Sequence, residues 1–249
     1  MVSRVQNQTQ QAFKMSTLFF NFLKRDLPST KVKDSELHGK GLFAAVDIPA
    51  WTIVTTYPVH FVCADMEGQA MAYGETEGAL LSTINTYKLE LQPNDNVNKA
   101  GVPYKISISA DPRVHFNTDP DPFKNDGLGH FINDSGRMTA LTTSELKSYI
   151  DAFDKKANCI FYHVGTYGIA VVTTKPVKKN SELLCAYGVG YWCQGDEYKK
   201  FLEKEKTLSV PFYAKVKENL DKCADVLKKY EDHVQAMDKI NFLMCRLRH

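Results

Sequence analysis

Hydrophobic and polar positions alternate with a period of two in several short runs between residues 31 and 192, the pattern of strands with at least one buried face. Val32, the run 39–43 and the run 53–57 (Ile-Val-Thr-Thr-Tyr) are rich in β-branched and aromatic residues and are separated by turn formers, with Pro49-Ala50 joining two of them. Residues 87–91 and 104–109 alternate in the same way, which predicts a hairpin around Pro93-Asn94-Asp95-Asn96. Residues 111–127 carry four aspartates and three prolines and read as a loop rather than a regular element. Strands return at 159–164 and 169–173, and a Lys178-Lys179-Asn180 turn precedes a last one at 183–187.

A period near 3.6 takes over elsewhere. The pattern over residues 11–24 predicts a short helix that groups Phe13, Phe20 and Leu23, punctuated by Pro28 and Ser29. Thr142-Thr143-Ser144-Glu145 is a capping-box pattern, and it opens a helix whose Leu146, Tyr149, Ile150 and Phe153 share one face. The end of the chain is helical, with Pro211 suited to a first helical position. After it, Tyr213, Val216, Leu220, Cys223, Leu227, Tyr230, Val234, Met237, Asn241 and Met244 are spaced alternately by three and four, a heptad seam with one polar position. From 213 to 244 such a helix runs roughly 48 Å. Two readings of the seam stand: an amphipathic helix packed on its own domain and on residues 11–24, which is preferred, or a homodimeric coiled coil through 213–244 with Asn241 fixing the register.

Composition narrows the class. The 249 residues are 43% hydrophobic and 24% charged, with a formal net charge of +2. These are values of a globular protein without the basic field that would argue for direct nucleic-acid binding. No apolar run has the length of a membrane span. Six cysteines lack any C-x-x-C pair, which argues against a zinc knuckle or a disulfide framework and for a reducing, intracellular setting, nucleus or cytoplasm. The basic first 25 residues also have the look of a mitochondrial presequence, but a Gln-rich start leading into a surface helix is preferred.

Candidate chemistry lies in three ordered segments: His38-Gly39-Lys40-Gly41-Leu42-Phe43, Gly129-His130-Phe131-Ile132-Asn133-Asp134-Ser135 and Glu182-Leu183-Leu184-Cys185-Ala186-Tyr187-Gly188. Singly, each is an ordinary turn or strand end. Together they resemble the SET-domain protein lysine methyltransferases, of a compact type lacking the cysteine-rich zinc segment. The resemblance implies an α+β, mostly β fold: a SET-type β-clip with a pseudoknot, an inserted helix and a helical C-terminal extension. The implied organisation is an N-terminal segment 1–30, a SET domain 31–192 with a variable insert at 63–126, and an extension 193–249.

The same resemblance implies S-adenosyl-L-methionine as cofactor, without a metal. Lys40, Gly41 and Leu42 would hold its methionine end through backbone, and Asn133 would bond its amino-acid head. His130, Phe131 and Asp134 complete that loop, although His130 stands where the family has Arg and Asp134 where it has His, leaving the adenine to backbone groups. Asn158-Cys159 resembles the Pro-Asn-Cys piece that closes the motif, with Ala157 in place of Pro and residues 136–157 inserted before it. Tyr187 falls on the catalytic tyrosine and also touches the cofactor, while Trp192, in a Tyr-Gly-x-x-Tyr-Trp ending, would cover it. The expected partner is a protein presenting a lysine, a histone tail or another protein. Tyr57, Tyr87, Tyr162 and Tyr191 are candidates for the lysine channel, and Asp111, Asp119, Asp121 and Asp126 for attracting a basic peptide. The alternative is a SET fold of weak activity that serves as a peptide- or protein-binding module.

Overall fold

A computed structural model describes residues 27–57, 61–66, 69–74, 104–107, 114–118, 127–164, 168–193 and 197–247; within 61–118 and most of 229–247 the description is of backbone only. The helix expected at 11–24, the strand at 87–91, Tyr87 and the four loop aspartates lie outside the described residues.

Strands β1 (Thr30–Asp34) and β2 (Lys40–Ala44) form an antiparallel hairpin in register from Thr30↔Ala44 to Asp34↔Lys40. The Ser35 N–H closes its turn on the Gly39 carbonyl at 2.8 Å. Next comes β3 (Ile53–Tyr57), which pairs with a strand far along the chain described below. A four-stranded antiparallel sheet follows, made of β4 (Phe61–Met66), β5 (Gln69–Gly74), β6 (Tyr104–Ser107) and β7 (Val114–Thr118) in the order β5-β4-β7-β6.

Strand β7 corrects the expectation of a loop throughout 111–127. Its Val-His-Phe-Asn-Thr sequence contains no proline, and the prolines at 112 and 120 bound the strand instead of interrupting it. β6 pairs with β7 in register Tyr104↔Thr118, and the hairpin expected around Pro93 lies outside the described residues.

β8 (Asn133–Asp134) follows a 3-10 turn at Gly129–Phe131. The inserted segment holds helix α1 (Thr143–Lys156), capped as its sequence predicts: Thr142 Oγ1 accepts from the Glu145 N–H at 3.3 Å. The Glu145 carboxylate takes the Thr139 N–H instead of reaching back to Thr142. β9 (Cys159–Val164) and β10 (Gly168–Thr173) then complete a three-stranded antiparallel sheet in the order β3-β10-β9.

The expected last strand, 183–187, shortens to β11 (Leu184–Cys185), which runs parallel to β8 with Leu184 opposite Asn133 and Cys185 opposite Asp134. On another side Asn158 grips the same stretch, its Nδ2 donating to the Glu182 carbonyl at 2.9 Å and its Oδ1 accepting from the Leu184 N–H at 3.0 Å. The Leu183 N–H bonds the Leu42 carbonyl at 2.7 Å. Residues 182–185 therefore pass between three segments that precede them, the threaded arrangement expected of a pseudoknot and rare among folds.

Helices α2 (Val189–Trp192), α3 (Glu197–Lys204) and α4 (Lys206–Leu247) finish the chain. α4 has 42 residues, a length of roughly 63 Å. It starts before the expected point, so Pro211 lies inside it and not at its first position. The buried stripe begins at Phe212 while Tyr213 is exposed, and Cys223 and Leu227 continue it. Of the seam positions among the described residues, Val216 packs with α1 and Cys223, Leu227 and Tyr230 pack on the chain's own β-sheet.

Candidate active site

Asn133 is the meeting point of the site. Parallel pairing fixes its backbone against Leu184, and its side chain turns toward the hairpin. Nδ2 lies 3.1 Å from the His38 carbonyl, 3.0 Å from the Lys40 carbonyl and 2.9 Å from Glu182 Oε1. The second oxygen of Glu182 accepts from Ser35 Oγ at 3.0 Å. A carboxylate acceptor makes these bonds stronger than neutral ones, so Glu182 pins the hairpin to the threaded segment.

Tyr187 lies just beyond that segment. Its hydroxyl donates to the Ile132 carbonyl, and its backbone N–H donates to Asp134 Oδ2 at 3.0 Å. Burial, with further contributions from Cys185, Tyr191, Asp134 and Tyr57, pushes the phenol far above the usual tyrosine range, so it stays protonated. Phe161 and Tyr191 flank its ring at centroid distances of 6.3 and 4.7 Å, and Tyr57 lies edge-on to Phe161 at 6.3 Å. Two of the expected channel residues, Tyr57 and Tyr191, thus join this cluster. Tyr162 does not: it packs on the opposite sheet face, and Phe161 takes its place.

The remaining expected residues are placed as follows. Lys40 points its ammonium at Asp34, 2.5 Å away, and offers the site its backbone. Leu42 and Phe131 are buried in the core, so their side chains pack the floor of the site. His130 is buried as well, its ring tilted against Phe131 with centroids 4.0 Å apart and edge-on to Tyr57 at 6.3 Å.

Asp134 turns inward. Oδ2 accepts from the Tyr149 hydroxyl at 2.9 Å, the Trp192 indole N–H at 2.8 Å and the Tyr187 N–H; Oδ1 accepts from the Gly136 N–H at 3.1 Å. Burial raises its carboxyl above the usual range, against the pull of those four donors. Trp192 is thereby anchored through its N–H, with the Arg137 guanidinium 5.7 Å from its ring centre. Glu182, Phe161 and Tyr149 are site residues to which the sequence assigned no role. Glu182 lay inside a recognised motif; Tyr149 was indistinguishable from its core-facing neighbours on α1.

The model of the SET domain family matches residues 39–188. That is more than half of the chain, and the chain belongs to the SET-domain family, whose usual members are protein lysine methyltransferases. Strand β2, the Asn133 bend, the threaded strand and Tyr187 fall within the matched stretch, while β1, Ser35 and His38 precede it. A comparison with curated proteins returned no match. Among the described residues no cluster of His, Cys, Asp and Glu suits a metal ion, and no helix is long and apolar enough to cross a membrane.

Proposed function

We propose that this protein transfers a methyl group from S-adenosyl-L-methionine to the side-chain amine of a lysine in another protein. The reading is carried by one observation: the 38–42 hairpin, Asn133 with Glu182, and Tyr187 are joined in one hydrogen-bonded site beside a cluster of aromatic rings.

The residues present fit the cofactor. Asn133 spends its NH2 group on the hairpin, and its Oδ1 accepts no hydrogen bond from the described residues, which leaves an acceptor for an amino-acid ammonium. A Cβ built at Gly39 or Gly188 would meet nothing within 4 Å, so a ligand has room to approach the backbone there. Lys40, Gly41 and Leu42 would hold it through backbone, with Asn133, the 130–134 segment and Trp192 completing the site. When bound, S-adenosylmethionine supplies an electrophilic methyl group on a sulfonium.

The protein's own part is alignment and exclusion of water, which account for a large share of the rate in a displacement of this kind. A lysine amine, with reference pKa about 10.4, must arrive neutral. The rings of Tyr57, Phe161, Tyr187 and Tyr191 favour the uncharged amine by replacing its water with apolar surface. Tyr187, kept protonated by its burial, orients the amine through its hydroxyl oxygen and ring and does not act as a base.

The test is incubation of the whole chain and of Tyr187→Phe with labelled cofactor and a panel of histones and lysate proteins. Transfer to lysine by the wild type is expected. Loss of at least about tenfold in the variant, or 1.4 kcal/mol of transition-state stabilisation, is expected with folding intact. Unchanged turnover would remove Tyr187 from the chemistry. No cofactor binding by calorimetry would leave the peptide-binding module as the function.

A further inference from the structure

Three departures from the family pattern meet at one atom. The loop carries Asp134 in place of His, a helix is inserted at 136–157, and the chain ends its SET region with Trp192 in place of a zinc segment. The inserted helix contributes Tyr149, fully buried, whose hydroxyl donates to Asp134 Oδ2 at 2.9 Å and accepts from the Gly188 N–H at 2.8 Å. Trp192 contributes its indole N–H to the same oxygen, and Tyr187 contributes its backbone N–H.

We infer that Asp134 is a positioning residue for Tyr187: with Tyr149 and Trp192 it forms a buried clamp that fixes the backbone on both sides of the tyrosine, and so the place of its phenol on the Ile132 carbonyl. This rests on the methyltransferase reading for its consequence in turnover, but the clamp itself is independent of it. Gly188 turns the chain at φ +91, a conformation that L side chains rarely adopt, so the segment after Tyr187 is not held by regular strand pairing. The bonds to Asp134 and Tyr149 take over that task at residues 187, 188 and 192. Three donors on one oxygen suit a carboxylate. Its amide isostere presents one neutral acceptor oxygen and an NH2 group that clashes with donors. A carboxylate at 134 thus calls for the tyrosine and the tryptophan, and each of these for the carboxylate.

The experiment compares wild type with Asp134→Asn, Tyr149→Phe and the milder Trp192→Phe in the full chain. At saturating cofactor and substrate, kcat is expected to fall at least tenfold in Asp134→Asn and two- to fivefold in Trp192→Phe. With ring-labelled tyrosine, the Tyr187 resonance, identified by its absence in Tyr187→Phe, should move in Asp134→Asn and in Tyr149→Phe. The Trp192 indole N–H resonance should move in Asp134→Asn. A stability-only role would lower the melting temperature and leave the Tyr187 resonance of the folded protein in place, overturning the inference. If Asp134→Asn fails to fold, the Tyr187 resonance in Tyr149→Phe and Trp192→Phe, and the Trp192 indole N–H in Tyr149→Phe, decide it. If the wild type itself neither binds cofactor nor transfers methyl, the functional reading falls, and the resonances still judge the clamp.

Discussion

The sheet β3-β10-β9 buries both of its faces, for different ends. On one face Val54, Val171, Cys159 and Phe161 pack with Leu42, Ile132, Leu183 and Tyr187 and form the floor of the site. On the other, Ile53, Ala170, Val172, Ile160, Tyr162 and Val164 pack on Cys223, Leu227, Val226 and Tyr230 of α4. The site face reaches polar groups that must be aimed, whereas the helix face meets almost only apolar side chains. Strand periodicity sends neighbours to opposite faces, so a single residue step separates a position beside Tyr187 from one beneath the helix. The comparison implies that stability and chemistry are separable across one sheet.

The strongest way to break the helix face is Leu227→Ala. Leu227 is fully buried, and truncation leaves a cavity where α4 meets the sheet. The expected loss is about 2–5 kcal/mol. In a chain of this size that is a fall of roughly 2–4 °C in melting temperature per kcal/mol. Methyl transfer, measured well below the new transition, should remain within about twofold of wild type. A large loss of turnover in the folded variant would mean that the two faces are coupled through the sheet.

The site face is sharpened by Gly41→Ala. A Cβ there would come within 2.1 Å of Glu182 Oε1, 2.8 Å of its Cδ and 3.0 Å of Ser35 Cβ. Glu182 is a flexible side chain, so the backbone need not move, but the carboxylate must leave both Asn133 and Ser35. The hairpin then loses its side-chain tie to the threaded segment and keeps the backbone bond from Leu183 to Leu42, and cofactor binding by calorimetry should weaken about tenfold, the size of one charge-assisted hydrogen bond. The expected change in melting temperature is smaller than for Leu227→Ala. The reverse ranking, with affinity intact and stability collapsed, would make Glu182 a structural brace alone.

The same alternation decides what could be read from sequence. The hairpin, the capped helix α1 and the strands of the three-stranded sheet announce themselves through local chemistry: turn formers, a Thr-x-x-Glu cap, β-branched runs. Because both sheet faces are apolar, β9 reads as Cys-Ile-Phe-Tyr-His-Val with no polar beat to mark a face. Tyr162 therefore looked as good a channel residue as its neighbour, and only the pairing of Phe161 with Val171 settles the parity. Asn133, Tyr187 and the 38–42 hairpin were legible because their motifs are local. Glu182, Tyr149 and the inward turn of Asp134 were not, since their partners lie 15 to 147 residues away in sequence. The start of α4 was misplaced because Pro211 suits a first turn, yet a helix also tolerates proline near its beginning, where few N–H groups have partners to lose.

The smallest effect belongs to a pair on neither face, and it controls for the others. Asp47 is exposed, and its carboxyl is held below the usual 3.8 first by the Lys179 N–H at 2.7 Å and then by the Lys178 ammonium at 3.0 Å. A carboxyl lowered in the folded state adds stability above its unfolded value and loses it as pH falls through the folded value. Asp47→Asn should therefore melt slightly below wild type near neutral pH, and the two melting curves should converge once pH drops beneath 3.8 and through the lowered value. Asp134 has the opposite sign: its raised carboxyl costs stability as pH climbs above 3.8, so Asp134→Asn should not converge with wild type in that acid window. Melting followed by circular dichroism at stepped pH checks both. An Asp47→Asn difference that stayed constant down to the most acid point would mean that the side chain acts through its shape at the 177–180 turn, with its charge contributing nothing.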